Sequence, residues 1–188
     1  MNTSQAITDF QFSCQKYLVC FTFAESGLRE FSRDLASKAP DLNANFFVGT
    51  GHPNLGRVHA AIRIGEAIES SKTNGVFSDK IAKSFVTAMY SEWDEVYRPR
   101  LASEVGVDPK FVKCDLMGDI RLIRHCIVHN KSIIENKHTK LRELKWQLSP
   151  GELLVSKEML SMLIDQINAM VVRVEPPPLQ TPNPARKE

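Results

Sequence analysis

Apolar positions recur at intervals of three, four and seven through most of this chain, the spacing of one face of an α-helix. Between about Ser4 and Ser37, the residues Phe10, Tyr17, Leu18, Phe21, Leu28, Phe31 and Leu35 keep that period. Gly27 is a candidate break that would divide the stretch into two helices, and Pro40 ends it. Pro40 to Gly56, rich in Gly, Asn and Pro, reads as a loop. A second helix is expected from about Arg57 to Lys72, closed by Thr73-Asn74-Gly75 with its glycine past the C-cap. A third, capped by Ser78 or Asp79, passes through Phe85, Met89, Trp93 and Val96 and stops near Pro99 or shortly after. A fourth starts near Asp115. Leu144 to Val155 alternates as a strand does, and Ser149-Pro150-Gly151 is a turn signal, so a small β-hairpin is expected before the last helix. Ser156 caps that helix, whose stripe is Leu160, Leu163, Ile164, Ile167, Met170 and Val171. From Glu175 onward five of fourteen residues are proline, so 175–188 is expected to be a disordered tail. Residues 1–174 read as one mainly α domain, a helical bundle.

Composition adds bounds rather than identity. A chain of 188 residues, 43% apolar and 24% charged, is long enough for one domain with its own core. The longest nearly apolar run, Tyr17 to Ala24, is far short of the roughly 20 residues of a membrane span. No secretory pattern opens the chain. Cys14, Cys20, Cys114 and Cys126 show neither CxxC pairing nor a disulfide framework, and three lie in apolar helical patterns, so buried free thiols are expected. A soluble cytoplasmic protein fits these observations. The net charge of +2 says less than its distribution: Arg121 to Lys145 holds seven Lys/Arg against two Glu, and is therefore +5 while the rest of the chain is −3. A basic patch of this kind suits a polyanion.

The fourth helix carries that patch and the chain's most definite chemistry. At 100° per residue, Leu116, Ile120, Ile123 and Ile127 fall within about 60° and face a core. Arg121, Arg124, His125 and His129 spread over roughly 140° on the other side. His125 and His129, four apart, lie above one another, and Asn130-Lys131-Ser132 ends the helix with His129 in its last turn. The helix dipole favours a cation there. An arginine fork that grips phosphate, beside an imidazole that moves protons near neutral pH, could cleave RNA without a metal. RNA carries its own nucleophile, the 2′-hydroxyl. His129 would serve as general base or acid, a role worth about 10²–10⁴-fold. Arg124 would hold the non-bridging oxygens as charge builds. His125 or Asn130 would orient the scissile phosphate. Arg121, Lys131, Lys137, Lys140 and Arg142 would track the RNA backbone. The products would be a 2′,3′-cyclic phosphate and a 5′-hydroxyl, and DNA would not be cut.

An Arg followed by a His after four to six residues is expected about once by chance in a chain of this composition. Its place at the end of an amphipathic helix, the polar residue after the Arg and the Asn-Lys exit give it weight. With those features, Arg124-His125-Cys126-Ile127-Val128-His129 resembles the signature of the HEPN superfamily (higher eukaryotes and prokaryotes nucleotide-binding domains). That signature is an Arg, four to six residues, then a His, commonly with Asn, Asp or His directly after the Arg. The motif-level resemblance covers about Asp115 to Ser132; the remainder agrees in architecture, a HEPN-like helical bundle. It implies a metal-independent endoribonuclease without cofactor, often dimeric, with the motifs of two protomers meeting in one cleft. Arg124 and His129 would be its acting pair, and His125 would hold the supporting position. In HEPN toxins paired with a nucleotidyltransferase antitoxin, a modifiable tyrosine often stands two residues past the histidine. Here that position is Lys131, which argues against that form of control and leaves any antitoxin or regulatory partner unidentified.

Competing readings stay on the table. His125 and His129 could be two zinc ligands, with Cys126, His52, His59 or His138 as a distant third, but no HExxH is present. Gly49 to Gly56 lacks the Gly-Lys-Ser/Thr ending of a phosphate loop. Glu92, Asp94 and Glu95 read as a solvated helix face, Trp93, Tyr97, Phe10 and Phe12 as core, and His138 as an exposed loop residue. The alternative to a nuclease is a non-catalytic HEPN-like module that binds a nucleotide or a protein.

Overall fold

A computed structural model of the chain describes residues 4–51 and 56–175. Of the tail expected over 175–188, all but Glu175 lies outside the described residues, as does the candidate ligand His52. The fold is mainly α. Its first helix, α1 (Gln5–Lys38), is unbroken. Gly27 does not divide it, because that position faces open space and asks nothing special of the backbone. Ala6, Phe10, Cys14, Phe21 and Glu25 form its buried stripe. Phe12, read as core, is exposed, as is Cys20.

The largest departure from the sequence reading follows. Where a loop and the start of a helix were expected, β1 (Asn45–Thr50) and β2 (Arg57–Arg63) pair antiparallel. A register shift falls between Val48 and Gly49. A Cβ at Gly49 would lie 2.5 Å from the Arg57 carbonyl oxygen, so only glycine fits the bulge. Phe46 meets Phe31 of α1 edge-on at 5.4 Å. Most other hairpin side chains are exposed, so the strands lack the in-out alternation that reveals a strand in sequence. The expected second helix shrinks to α2 (Ile64–Ser70).

The third helix, α3 (Val76–Glu92), is capped by Gly75 rather than by Ser78 or Asp79. Asp79 is buried and accepts bonds from Lys83 Nζ and from the Val155 amide. Helix α3 continues through one π turn, Trp93–Tyr97, into α4 (Arg98–Val105). Pro99 therefore stops nothing: it stands just after the π turn, at the start of α4. The π turn lets Trp93 and Tyr97 both pack on Phe10, at 5.4 and 5.2 Å.

After a short 3₁₀ turn, β3 (Val112–Lys113) leads into α5 (Asp115–His129). Then come β4 (Ile133–Ile134), a 3₁₀ turn over Asn136–Thr139, β5 (Gly151–Glu152), α6 (Lys157–Asn168) and β6 (Arg173–Val174). The expected hairpin within Leu144 to Val155 does not form. Leu144, Trp146, Leu153 and Val155 are buried at the alternate positions read from sequence. The amides of the segment nevertheless bond elsewhere, to Asp119, Gln166, Ser132 and Asp79. Strand β5 pairs with β4, just past α5, instead of with its own neighbour. Ser156 caps α6 as expected, its hydroxyl accepting from the Met159 amide. The helix ends before Met170 and Val171, and Val171 is exposed. No described helix is long and apolar enough to cross a membrane.

Candidate functional site

Helix α5 runs over the residues predicted from its period and caps. Its buried arc is wider than the isoleucine stripe, because Met117, Asp119 and Cys126 join Leu116, Ile120 and Ile123. On the wheel these six span about 180°. Arg124 falls inside that arc, between Leu116 and Met117. Its stem is accordingly half-buried, and its Nε is out of solvent with no hydrogen-bond partner. The guanidinium lies 5.8 Å from the Tyr90 ring centroid, a stacking contact across from α3. Burial pushes the Tyr90 phenol up, and Asp94 adds to the rise while Arg121, Arg98 and Arg124 oppose it.

Between the α3 end with its π turn and the α5 face opens a cleft of about 560 Å³. Arg121, Arg124, His125, Lys137 and His138 line one side; Tyr90, Asp94 and Glu95 line the other. The solvated acids of the sequence reading are thus its far wall, and Asp94 is tied to Arg98 at 3.1 Å. Glu92 does other work, accepting from Ser13 and from the Tyr17 hydroxyl. Among the described residues no carboxylate pairs with Arg121 or Arg124, although Arg33, Arg98, Arg100, Arg142 and Arg173 all have such partners. A second cleft, of about 400 Å³, adjoins on the far side of Arg121 and Leu122 and is lined by Lys113, Lys140 and Arg142. Four of the five predicted backbone-tracking residues (Arg121, Lys137, Lys140, Arg142) therefore lie along two clefts that share Arg121.

The remaining predicted residues sit apart. His129 is exposed in the last turn of α5, its ring 5.0 Å from that of His125, and it lines neither cleft. Asn130 is turned to structural use: its amide donates to the Ile133 carbonyl at 2.6 Å and to Glu135 at 3.1 Å. The chain reverses there through two residues with positive φ, Lys131 (48°) and Ser132 (63°). Both are costly for non-glycine residues, and both are held by bonds from the Ser132 amide to Cys126 and from the Leu153 amide to Ser132. Lys131 projects from this turn into solvent, away from both clefts.

Two residues that position the site are not evident from the motif. Asp119 is 2% exposed, and one of its oxygens accepts from three successive amides, Arg142, Glu143 and Leu144, at 2.9, 2.7 and 2.9 Å. This clamp fixes the loop that carries Lys140 and Arg142 against α5. Its sequence signal is a lone acid beside the apolar stripe. His138 corrects the reading of an exposed loop residue, being 1% exposed. The turn that holds it is a reciprocal cap: Glu135 accepts the His138 amide, and His138 Nδ1 accepts the Glu135 amide at 3.0 Å. The signal is the spacing Glu135-x-x-His138, with histidine in place of the usual third-position acid or amide. Burial pushes the His138 imidazole below the ordinary histidine range, and Lys137 and His125 push the same way against Glu135. Hydrogen bonding to Lys137 holds Glu135 below the usual carboxylate range.

Among the described residues, no three His, Cys, Asp or Glu side chains come together in a way that could hold a metal. Comparison of the chain with protein-family models, with curated proteins and with solved structures gives no match.

Proposed function

We propose that this chain is a metal-independent endoribonuclease of the HEPN type. One observation carries the reading: the Arg-x4-His segment lies on an α5 face whose two arginines are left without carboxylate partners, along clefts that also hold Lys113, Lys137, Lys140 and Arg142. Arg124 is half-buried with a shielded, unpartnered Nε although acids stand nearby, and Arg121 beside it is exposed, so the charge is read as held for an anion. In this reading Arg124 grips the non-bridging phosphate oxygens, and His129 moves the proton of the 2′-hydroxyl or of the leaving 5′-oxygen. His125 stands between them. Arg121, Lys137, Lys140 and Arg142 follow the backbone. Because His129 lies outside the cleft of one protomer, a homodimer in which a second α5 faces the first would complete the site. The four cysteines are unpaired, which supports a reducing compartment such as the cytoplasm, where the enzyme would serve in defence or in stress-induced RNA decay.

The test is cleavage of a mixed RNA pool in EDTA. Wild type is expected to leave 2′,3′-cyclic phosphate ends. Arg124→Ala and His129→Ala are each expected to lower the rate by about 10²–10⁴-fold while remaining folded. A folded wild type that cuts nothing, alone or at concentrations where it dimerises, would overturn the reading. The position of His129 favours one alternative, a non-catalytic module that binds a nucleotide or protein through the cleft. That module would bind ligand with or without His129 and cleave nothing.

A further inference from the structure

Two residues that line the cleft carry hydrogen-bond donors that the fold itself leaves unused. Arg124 Nε and His138 Nε2 are both shielded from solvent, both lack any partner, and both belong to residues that line the cleft. Buried donors of this kind cost stability and are rare in finished structures, so each calls for a reason. For His138 the donor's identity follows from its other nitrogen. Nδ1 accepts the Glu135 amide, and a backbone N–H can only donate, so Nδ1 carries no proton. The neutral ring must then carry its proton on Nε2. The reciprocal cap thus fixes the tautomer and leaves an oriented N–H. Arg124 supplies a second donor with full positive charge, and Arg121 and Lys137 add charge along the same cleft. Lys137 is itself paired with Glu135 at 2.8 Å, which leaves the two arginines as the unpaired charge. Arg98 Nε is likewise without a partner, but Arg98 is tied to Asp94 through Nη1 and so is not free charge.

We propose that this cleft is a phosphoryl-binding subsite in which His138 Nε2–H and Arg124 Nε–H donate to the oxygens of one phosphate group, with Arg121 lending charge. The two solvent-shielded unused groups are both donors, which suits an oxyanion, while the exposed Glu95 carboxylate stands on the far wall. His138 acts here as a binding residue outside the Arg-x4-His motif. It lines the cleft with His125 and Arg124, and the exposed His129 does not; because Arg124 also grips the scissile phosphate, the phosphate held here is the one on which His129 would act. That last placement rests on the ribonuclease reading; the subsite does not.

Two substitutions at His138 separate binding from scaffolding because they keep opposite halves of the ring. His138→Asn retains an acceptor near the Nδ1 position and removes the cleft donor. His138→Gln retains a donor near the Nε2 position and removes the acceptor for Glu135. Binding of inorganic phosphate, followed in EDTA by the ¹⁵N–¹H signals of the histidine ring and of the arginine Nε, is the readout. Wild type is expected to bind with shifts at both donors. His138→Asn should bind about tenfold or more weakly, and His138→Gln within about threefold of wild type. The opposite order, with Asn intact and Gln impaired, would show His138 to be scaffold only and would overturn the proposal. Failure of wild type to bind phosphate would do the same, whatever RNA it cuts. A 2′-O-methyl oligoribonucleotide, which cannot be cleaved, identifies the source of the phosphate. Competition with inorganic phosphate assigns the subsite to a nucleic-acid backbone. Phosphate binding without such competition assigns it to a small phosphorylated ligand, so that the subsite stands and its link to RNA falls. Phosphate binding in a protein that never cleaves RNA leaves the subsite standing and removes only the nuclease.

Discussion

The two halves of α5 treat their polar side chains in opposite ways. In the first half Asp115 is bonded to Arg173 and paired with Arg142 at 3.5 Å, and Asp119 gathers three backbone amides. Every acid there is consumed by the fold. In the second half Arg124 keeps an unpartnered Nε, His125 and His129 face solvent, and the neighbouring His138 keeps an unpartnered Nε2. The same helix, with the same apolar stripe, is thus a structural anchor at one end and an unsatisfied surface at the other. Glu25, Ser71 and Ser78 also carry buried unpartnered oxygens elsewhere in the fold, but among the described residues only at the second half of α5 do the unpartnered atoms include two donors on residues that line one cleft.

The contrast can be broken at its anchored end with the largest effect. Asp119→Ala would leave three buried or half-buried amides with no acceptor. A loss of about 3 kcal/mol or more of unfolding free energy is expected in urea titration. The loop bearing Lys140 and Arg142 should also loosen, visible as faster amide exchange at 142–144. A loss below about 1 kcal/mol would mean that the clamp is dispensable. Arg124→Ala, at the other end, should leave stability within about 0.5 kcal/mol of wild type, because it removes an unsatisfied buried donor along with its packing. Asn130→Ala sharpens the boundary between the halves. Losing its bonds to Ile133 and Glu135 should cost about 1 kcal/mol. If Asn130 is only a cap, ligand binding in that variant stays within a few-fold of wild type; a deeper loss would return it to the role of orienting a phosphate.

The smallest effect is the pH dependence of His138. Its imidazole titrates below the ordinary histidine value in the folded chain, through burial first and then the nearby Lys137 and His125, with Glu135 opposing. In the window between that lowered value and about 6.5, the unfolded chain binds more protons than the folded one, so stability rises with pH and is lost on acidification. Protonation at Nδ1 would also break the bond from the Glu135 amide. Unfolding melts between pH 7.5 and 5 should therefore fall more steeply for wild type than for His138→Gln. Parallel slopes would show that His138 titrates as it does in the unfolded chain.

How much of this was legible in the residues varies with how local the cause is. The ends of α5 and the cap of α6 were read correctly because nearby residues set them: Asp115 opening one, Asn130 closing it, Ser156 capping the other. The hairpin of β1 and β2 was not, since its side chains are mostly exposed and its bulge depends on how closely Gly49 approaches Arg57. Leu144 to Val155 shows the boundary well. Its alternating burial was legible, but its partners were not, because Asp119, Gln166, Ser132 and Asp79 all come from distant parts of the chain. Arg124 was found by its motif, whereas His138 was misread as exposed, its burial depending on the turn beyond β4 that folds it against α5.

By itself, then, the sequence determined the mainly α character, the span of α5, the two-sidedness of that helix and the concentration of basic charge around it. These follow from period, caps and composition, which act over one or two turns of chain. Only the tertiary structure decided which of those charges stay unpaired, which histidine is buried, and that Arg124 and His138 share one cleft while His129 stands outside it. Pairing and burial are properties of neighbours in space, and the neighbours of Arg124 come from α3 and from the loop after β4 as much as from its own helix.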